Sequence, residues 1–262
     1  MATLIDVIKP ATHTFPAADG LTLAYHEIGS GRPVVLLHGY ISPALDTWMR
    51  SGAASGLLAA GRRLIMPDMR GHGESAKPHE PAAYPPDALI ADVQALIAHL
   101  GLTAYDLAGY SLGARVGARL MALGARPGRA VLGGTGLDPI VHAAGRGENY
   151  RRLFAGLGTF APGTPEAQME EYMRSVDADP VALSCLFDTF VDTPREALAG
   201  VDIPTLVIAG EDDTARGSVE DLATALPNGS LVRVPGDHVT ALLGPAFADA
   251  LAAFLASDGT AS

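Results

Sequence analysis

The sequence predicts an α/β protein built on a mostly parallel, doubly wound sheet. Short β-like runs alternate with longer helical stretches over most of the chain, which is the pattern left by crossover connections between parallel strands. One run, Pro33–Leu37, is apolar throughout, as a strand buried on both faces must be. One helical stretch carries Leu89, Val93, Leu96, Ile97 and Leu100 at spacings that place them on a single stripe.

The elements follow in order. Residues 21–28 read as a strand, with Gly29-Ser30-Gly31 as the turn into Pro33–Leu37. Residues 63–66 and 105–108 are further short strands, separated by the helix with the Leu89 stripe. A second helix carries Val116, Leu120 and Leu123 and stops at Gly124. Strands at 129–132, 205–209 and 230–234 come next, and a last amphipathic helix carries Phe247, Leu251, Phe254 and Leu255. The alternation lapses from 138 to 200, where helix starts dominate. Thr164-Pro165 and Asp179-Pro180 are two, and Thr193-Pro194-Arg195-Glu196 has the form of a capping box. The expected organisation is therefore a core from 1–137 and 201–262, interrupted by a helical cap at 138–200.

Composition limits the function. The 262 residues and 48% hydrophobic content suit one domain with an insertion, and the net charge of −11 argues against a nucleic-acid partner. A single cysteine, Cys185, allows no intrachain disulfide. No cysteine–histidine cluster has zinc spacing, no run approaches the ~18 apolar residues of a membrane span, and no signal peptide is visible. The expectation is a cytoplasmic protein with no metal, cofactor, nucleic-acid or membrane partner.

The chemistry concentrates at Gly109-Tyr110-Ser111-Leu112-Gly113. G-x-S-x-G between a strand and a helix is a nucleophile elbow, whose glycines permit backbone approaches that a Cβ would block. A serine hydroxyl needs a base within hydrogen-bond reach, and the base needs an orienting acid. On this architecture they follow in the order serine, acid, histidine. Only His142 and His238 come after Ser111, and His238 follows the last strand. The acid comes either from Gly210-Glu211-Asp212-Asp213, after the preceding strand, or from Asp138.

With these residues the chain resembles the α/β-hydrolase superfamily. His38-Gly39-Tyr40 looks like the family's loop that supplies one oxyanion-hole amide. Asp68-Met69-Arg70-Gly71-His72-Gly73-Glu74-Ser75 looks like its D-x-R-G-x-G-x-S loop. The likeness runs from about residue 21 to 255 and implies an eight-stranded, mostly parallel sheet. It favours Asp213 as the acid and implies an oxyanion hole from the backbone amides of Tyr40 and Leu112. In such proteins His38, Gly39, Asp68, Arg70 and Gly71 organise the loops, and Gly109 and Gly113 shape the elbow. His72, within its turn, is not the base.

Serine at the elbow, where dehalogenases and epoxide hydrolases of this superfamily carry aspartate, implies acyl chemistry. The expected activity is a carboxylesterase taking a small or medium apolar acyl substrate and water. Lactonase, thioesterase, carbon–carbon hydrolase, perhydrolase and a ligand receptor with vestigial turnover are the alternatives. Candidate pocket residues are Tyr110, beside the nucleophile, and Phe154 and Phe187, from an insertion that also carries Phe160, Met169, Met173 and Phe190. Arg115 and Arg119, spaced i and i+4, either anchor an anionic group or serve structural pairs. Trp48 is expected to pack rather than to bind, and Asp237 either adjusts His238 or faces solvent.

Overall fold

Alternating side chains along the central strands build two cores, one on each face of a single sheet. The computed structural model describes residues 9–145, 147–214 and 217–256. Its eight strands are β1 (Ala11–Pro16), β2 (Thr22–Gly29), β3 (Pro33–Leu37), β4 (Arg63–Pro67), β5 (Asp106–Tyr110), β6 (Ala130–Gly133), β7 (Thr205–Gly210) and β8 (Gly229–Val234). They lie in the order β1-β2-β4-β3-β5-β6-β7-β8. Pairing is antiparallel at β1–β2 and β2–β4 and parallel from β4 through β8. The eight-stranded, mostly parallel sheet is as expected. β1 matches none of the runs read as strands, because it is an edge strand with only Phe15 buried and so lacks an apolar signature.

Helices cover both faces. α1 (Ala44–Met49) and α2 (Ala53–Ala59) follow β3, α3 (Ala88–His99) follows β4, and α4 (Leu112–Ala122) follows β5. α5 (Asp138–Val141), α6 (Glu148–Ala155), α7 (Pro165–Ser175), α8 (Pro180–Cys185) and α9 (Arg195–Leu198) all fall between β6 and β7. α10 (Val219–Ala225) joins β7 to β8, and α11 (Thr240–Leu243) and α12 (Pro245–Ala256) close the chain. Val35, Leu37, Leu107 and Leu132 meet Leu96 of α3, Leu120 of α4 and Leu222 of α10 on one face. Val34, Leu36, Leu64 and Ala108 meet Trp48, Leu57, Phe247 and Leu251 from α1, α2 and α12 on the other. Trp48 is fully buried there, so its role is packing.

Two of the three helix starts read in the insertion form as expected. Thr164 accepts from the Ala167 amide at 3.2 Å, and Asp179 accepts from the amides of Val181 and Ala182. The third does not. Pro194, not Thr193, is the N-cap of α9, with no side-chain cap. Thr193 is buried and its amide donates to the Ile140 carbonyl at 3.1 Å. Starting the helix one residue later puts Glu196 out of register for the reciprocal bond.

These helices are tied down onto the core at several points. The Tyr40 hydroxyl donates to the Leu183 carbonyl at 2.7 Å, and the Tyr172 hydroxyl donates to Asp46 at 2.6 Å. His79 meets Asp179 at 2.7 Å. Below them the loop after β4 is fixed by Arg70, whose Nε and Nη2 donate to Asp92 at 2.7 and 2.6 Å. Its Nη1 meets Asp19 at 2.9 Å. Both Arg70 and Asp92 are 2% exposed. Burial pushes the Asp92 carboxyl up, and Arg70 opposes that shift. Arg70→Ala would strand this carboxylate in the interior, and breaking such a pair from one side costs about 3–5 kcal/mol. A fall in melting temperature of roughly 6–20 °C is expected. A thermal melt unchanged within about 3 °C would show that the pair is dispensable.

Candidate active site

The site is built at the carboxyl ends of β3, β5, β7 and β8. β3 and β5 are parallel neighbours with Leu37 opposite Gly109, so the loops leaving them emerge side by side. β5 ends at Tyr110, and Ser111 follows with φ 53° and ψ −106°, in a conformation that L-residues rarely adopt. The two elbow glycines are required by close approach. A Cβ on Gly109 would stand 2.3 Å from the Gly113 carbonyl, and one on Gly113 would stand 2.1 Å from the Leu37 oxygen. Any larger side chain pushes the start of α4 off β5 at Gly109 and off the end of β3 at Gly113. Leu112 opens α4, and Tyr40 lies on the loop leaving β3. The two residues expected to donate oxyanion amides thus come from adjacent strand ends.

The other two strands carry the residues expected as acid and base. β7 and β8 pair through Gly210 and Val234. Beyond them the Glu211 amide donates to the Val234 carbonyl at 2.8 Å, and the Asp212 amide donates to the Gly236 carbonyl at 3.1 Å. Glu211 and Asp212 are exposed while Asp213 is buried. His238 Nδ1 lies 2.7 Å from Asp213 Oδ2, and His238 Nε2 lies 3.1 Å from Ser111 Oγ. With its proton on Nδ1 donated to Asp213, the imidazole accepts from the serine hydroxyl, an arrangement able to draw a proton from Oγ. The structure brings Ser111, Asp213 and His238 together. It gives the place beside Nδ1 to Asp213, whereas Asp138 stands at the head of α5.

His38, His72 and Asp68 hold the surrounding loops by identifiable contacts. His38 is fully buried. Its Nδ1 donates to the Gly39 carbonyl at 2.7 Å, and its Nε2 accepts from the Met69 amide at 2.9 Å. Burial, reinforced by the neighbouring His72, pushes the His38 imidazole down to about 3, so the ring is neutral near neutral pH and serves as a fixed strut. His72 donates from Nε2 to the Tyr40 carbonyl, holding the loop that carries that amide. Asp68 accepts from His26 at 3.0 Å and from the amides of Ala44 and Glu74 at 2.9 Å each. Burial works against its ionised form, but the His26 hydrogen bond, the His38 ring and these amides outweigh it and hold the carboxyl low. Asp237 accepts from the Val239 and Thr240 amides. It therefore shapes the turn that presents His238.

A cavity of about 570 Å³ opens at Ser111. Tyr40, Thr135, Tyr150, Phe187 and Phe190 form much of its wall. Phe187 lines the cavity, and the two other pocket candidates do not. Tyr110 does not line the cavity: its hydroxyl donates to the His238 carbonyl at 2.6 Å, and its ring packs edge-on against Phe247. It supports the base from behind. Phe154 stands outside the wall, packed against the rings of Tyr40 and Tyr150. The wall is also less apolar than expected, because Arg115, Glu148 and Asn149 contribute to it. Tyr150 and Thr135 were not singled out from the sequence. Thr135 follows Gly133-Gly134, a glycine-rich loop at a strand's carboxyl end, and that position is a legible signal for a site residue. Among the described residues no His, Cys, Asp or Glu group is placed to hold a metal ion, and no helix is long and apolar enough to cross a membrane.

The architecture has known counterparts. The sequence profile of the alpha/beta hydrolase fold matches residues 32–167. A non-heme haloperoxidase from Rhodococcus erythropolis is 30% identical over 255 residues, covering 84% of this chain and 90% of its own. Among solved structures, bromoperoxidase from Bacillus anthracis superimposes with a TM-score of 0.73 at 26% identity, covering 94% of this chain and all of its own. The esterase RhEst1 from a Rhodococcus species gives a TM-score of 0.71 at 26% identity, covering 95% of this chain and 99% of its own. Strand order, elbow and family profile agree, and the chain belongs to the α/β hydrolase family.

Proposed function

We propose that the protein is a serine hydrolase that cleaves carboxylic esters through an acyl-enzyme on Ser111. The observation that carries this reading is the unbroken contact line from Asp213 Oδ2 through His238 to Ser111 Oγ, at 2.7 and 3.1 Å. Ser111 Oγ attacks the ester carbonyl while His238 Nε2 takes its proton. The amides of Leu112 and Tyr40 receive the developing oxyanion. His238 then protonates the leaving alcohol, and a water activated by the same nitrogen releases the acid. Asp213 keeps the imidazole in the required tautomer and stabilises its charged form. The esterase relative supports the choice of bond, and the aromatic wall of Tyr40, Tyr150 and Phe187 offers apolar surface for part of the substrate. Cys185 is the single cysteine, so the fold needs no oxidising compartment and suits the cytoplasm.

A panel of p-nitrophenyl esters from acetate to octanoate tests this reading. The expected result is saturable hydrolysis with a chain-length optimum. Rates at the buffer background for every ester would sink it. The haloperoxidase relatives motivate a second reading, in which hydrogen peroxide replaces water as acyl acceptor and the acyl-enzyme leaves as a peracid. Acetate with hydrogen peroxide should then give peracetic acid at a rate that depends on Ser111, and peracid at the uncatalysed rate rejects that branch.

A further inference from the structure

The cavity holds a charge that the ester chemistry does not use. Arg115 lies on the first turn of α4, the nucleophile's own helix, and its amide donates to the Ser111 carbonyl at 3.2 Å. Ser111 and Arg115 both line the cavity, one at its elbow and the other on the first turn of the helix that follows. Its guanidinium carbon sits 4.3 Å from the centroid of the Phe190 ring, and both residues line the cavity. A guanidinium lying over a ring is held in place, and its planar fork suits a carboxylate better than an ammonium would.

Arg119, one turn on, is occupied by Asp87 at 3.0 and 2.7 Å and by the Asp192 carbonyl at 3.2 Å. Glu148, the carboxylate in the wall, meets Arg152 at 3.3 Å. Among the described residues lining the cavity, Arg115 is the one cation. Thr135 and Asn149 add polar groups to the wall, while Tyr40, Tyr150 and Phe187 face it with rings.

We propose that Arg115 is a specificity residue that binds a substrate carboxylate, making the preferred substrates esters with a free carboxylate a few bonds from the scissile carbonyl. Monoesters of short dicarboxylic acids are the simplest members of this class. The proposal rests on the acyl-enzyme reading above and deepens it. The carboxylate docks on the guanidinium, the connecting carbons lie against the aromatic wall, and the ester carbonyl falls to Ser111. Water then converts the monoester to the dicarboxylate and the alcohol, with release of one proton.

The test compares monomethyl glutarate with its neutral isostere methyl 4-carbamoylbutanoate by pH-stat, in the native protein, Arg115→Gln and Arg115→Lys. The native protein should favour the anion by about 10–100-fold in kcat/KM, as one charge-assisted carboxylate contact allows. Arg115→Gln should lose that preference mainly through a raised KM for the anion, so that the ratio of kcat/KM between the two esters falls toward one. Arg115→Lys should restore part of the preference, which a merely structural arginine would not do. Equal rates for the two esters in the native protein, or a preference that survives Arg115→Gln, overturns the proposal. Neutral-ester turnover that depends on Ser111 leaves the hydrolase reading standing in either case. If neither ester is turned over, glutarate protection of Ser111 against a fluorophosphonate decides. Protection present in the native protein and absent in Arg115→Gln supports the carboxylate site, and equal labelling with and without glutarate rejects it.

Discussion

Ser111→Ala is expected to lower ester turnover by about 10⁴-fold or more. The substitution removes the oxygen that lies 3.1 Å from His238 Nε2, so no acyl-enzyme can form there. The amides proposed to receive the oxyanion and the cavity remain, and they should preserve some residual rate over water. The φ of 53° at Ser111 is strained for alanine as for serine, so the fold should be little changed by losing the hydroxyl. Mass spectrometry after fluorophosphonate treatment should find a single adduct on Ser111 in the native protein and none in the variant. Label on another residue, or an alanine variant within about tenfold of native turnover, would show that the nucleophile lies elsewhere.

The parts of this site that were legible in the sequence are those fixed by backbone geometry. Gly109 and Gly113 are demanded by contacts of 2.3 and 2.1 Å, and the serine between them announces the elbow. His238 and Asp213 follow the last two strands, and a parallel sheet delivers the residues after its strands to one edge. The wall of the cavity was less legible, since it is assembled from the loops after β3 and β6 and from the helices between β6 and β7. An aromatic residue in a short helix looks the same whether it packs inward or faces a substrate. Phe154 and Phe187 illustrate this, the first lying behind Tyr40 and the second at the cavity. Tyr110 was obscured for another reason. Its placement next to the nucleophile suggests the pocket, but strand alternation turns its side chain to the face of α12, beneath His238. The spacing of Arg115 and Arg119 placed both on one helix. Their surroundings separate them: Asp87 draws Arg119 away from the chemistry, while Arg115 lies over Phe190 at the cavity.

The order of acid and base makes the second large effect. Asp213→Asn replaces a carboxylate whose side chain is 3% exposed and whose Oδ2 lies 2.7 Å from His238 Nδ1. The asparagine is nearly the same shape, so packing should survive. An amide cannot stabilise the imidazolium that forms as Ser111 loses its proton. When its NH₂ faces Nδ1, the ring proton is forced onto Nε2, which then cannot accept from the serine. A loss of about 10⁴-fold in kcat is expected, with KM for a neutral ester little changed. Fluorophosphonate labelling of Ser111 should slow in parallel, because it needs the same activated oxygen. Asp138→Asn is the matched control. It removes the carboxylate outside the β7 loop that the sequence admitted as the acid, from the head of α5, and should leave kcat within about threefold of native, as expected for a residue outside the proton path. The reverse pattern, with Asp213→Asn active and Asp138→Asn inactive, would reassign the acid and require His238 to turn its Nδ1 away from Asp213 during turnover.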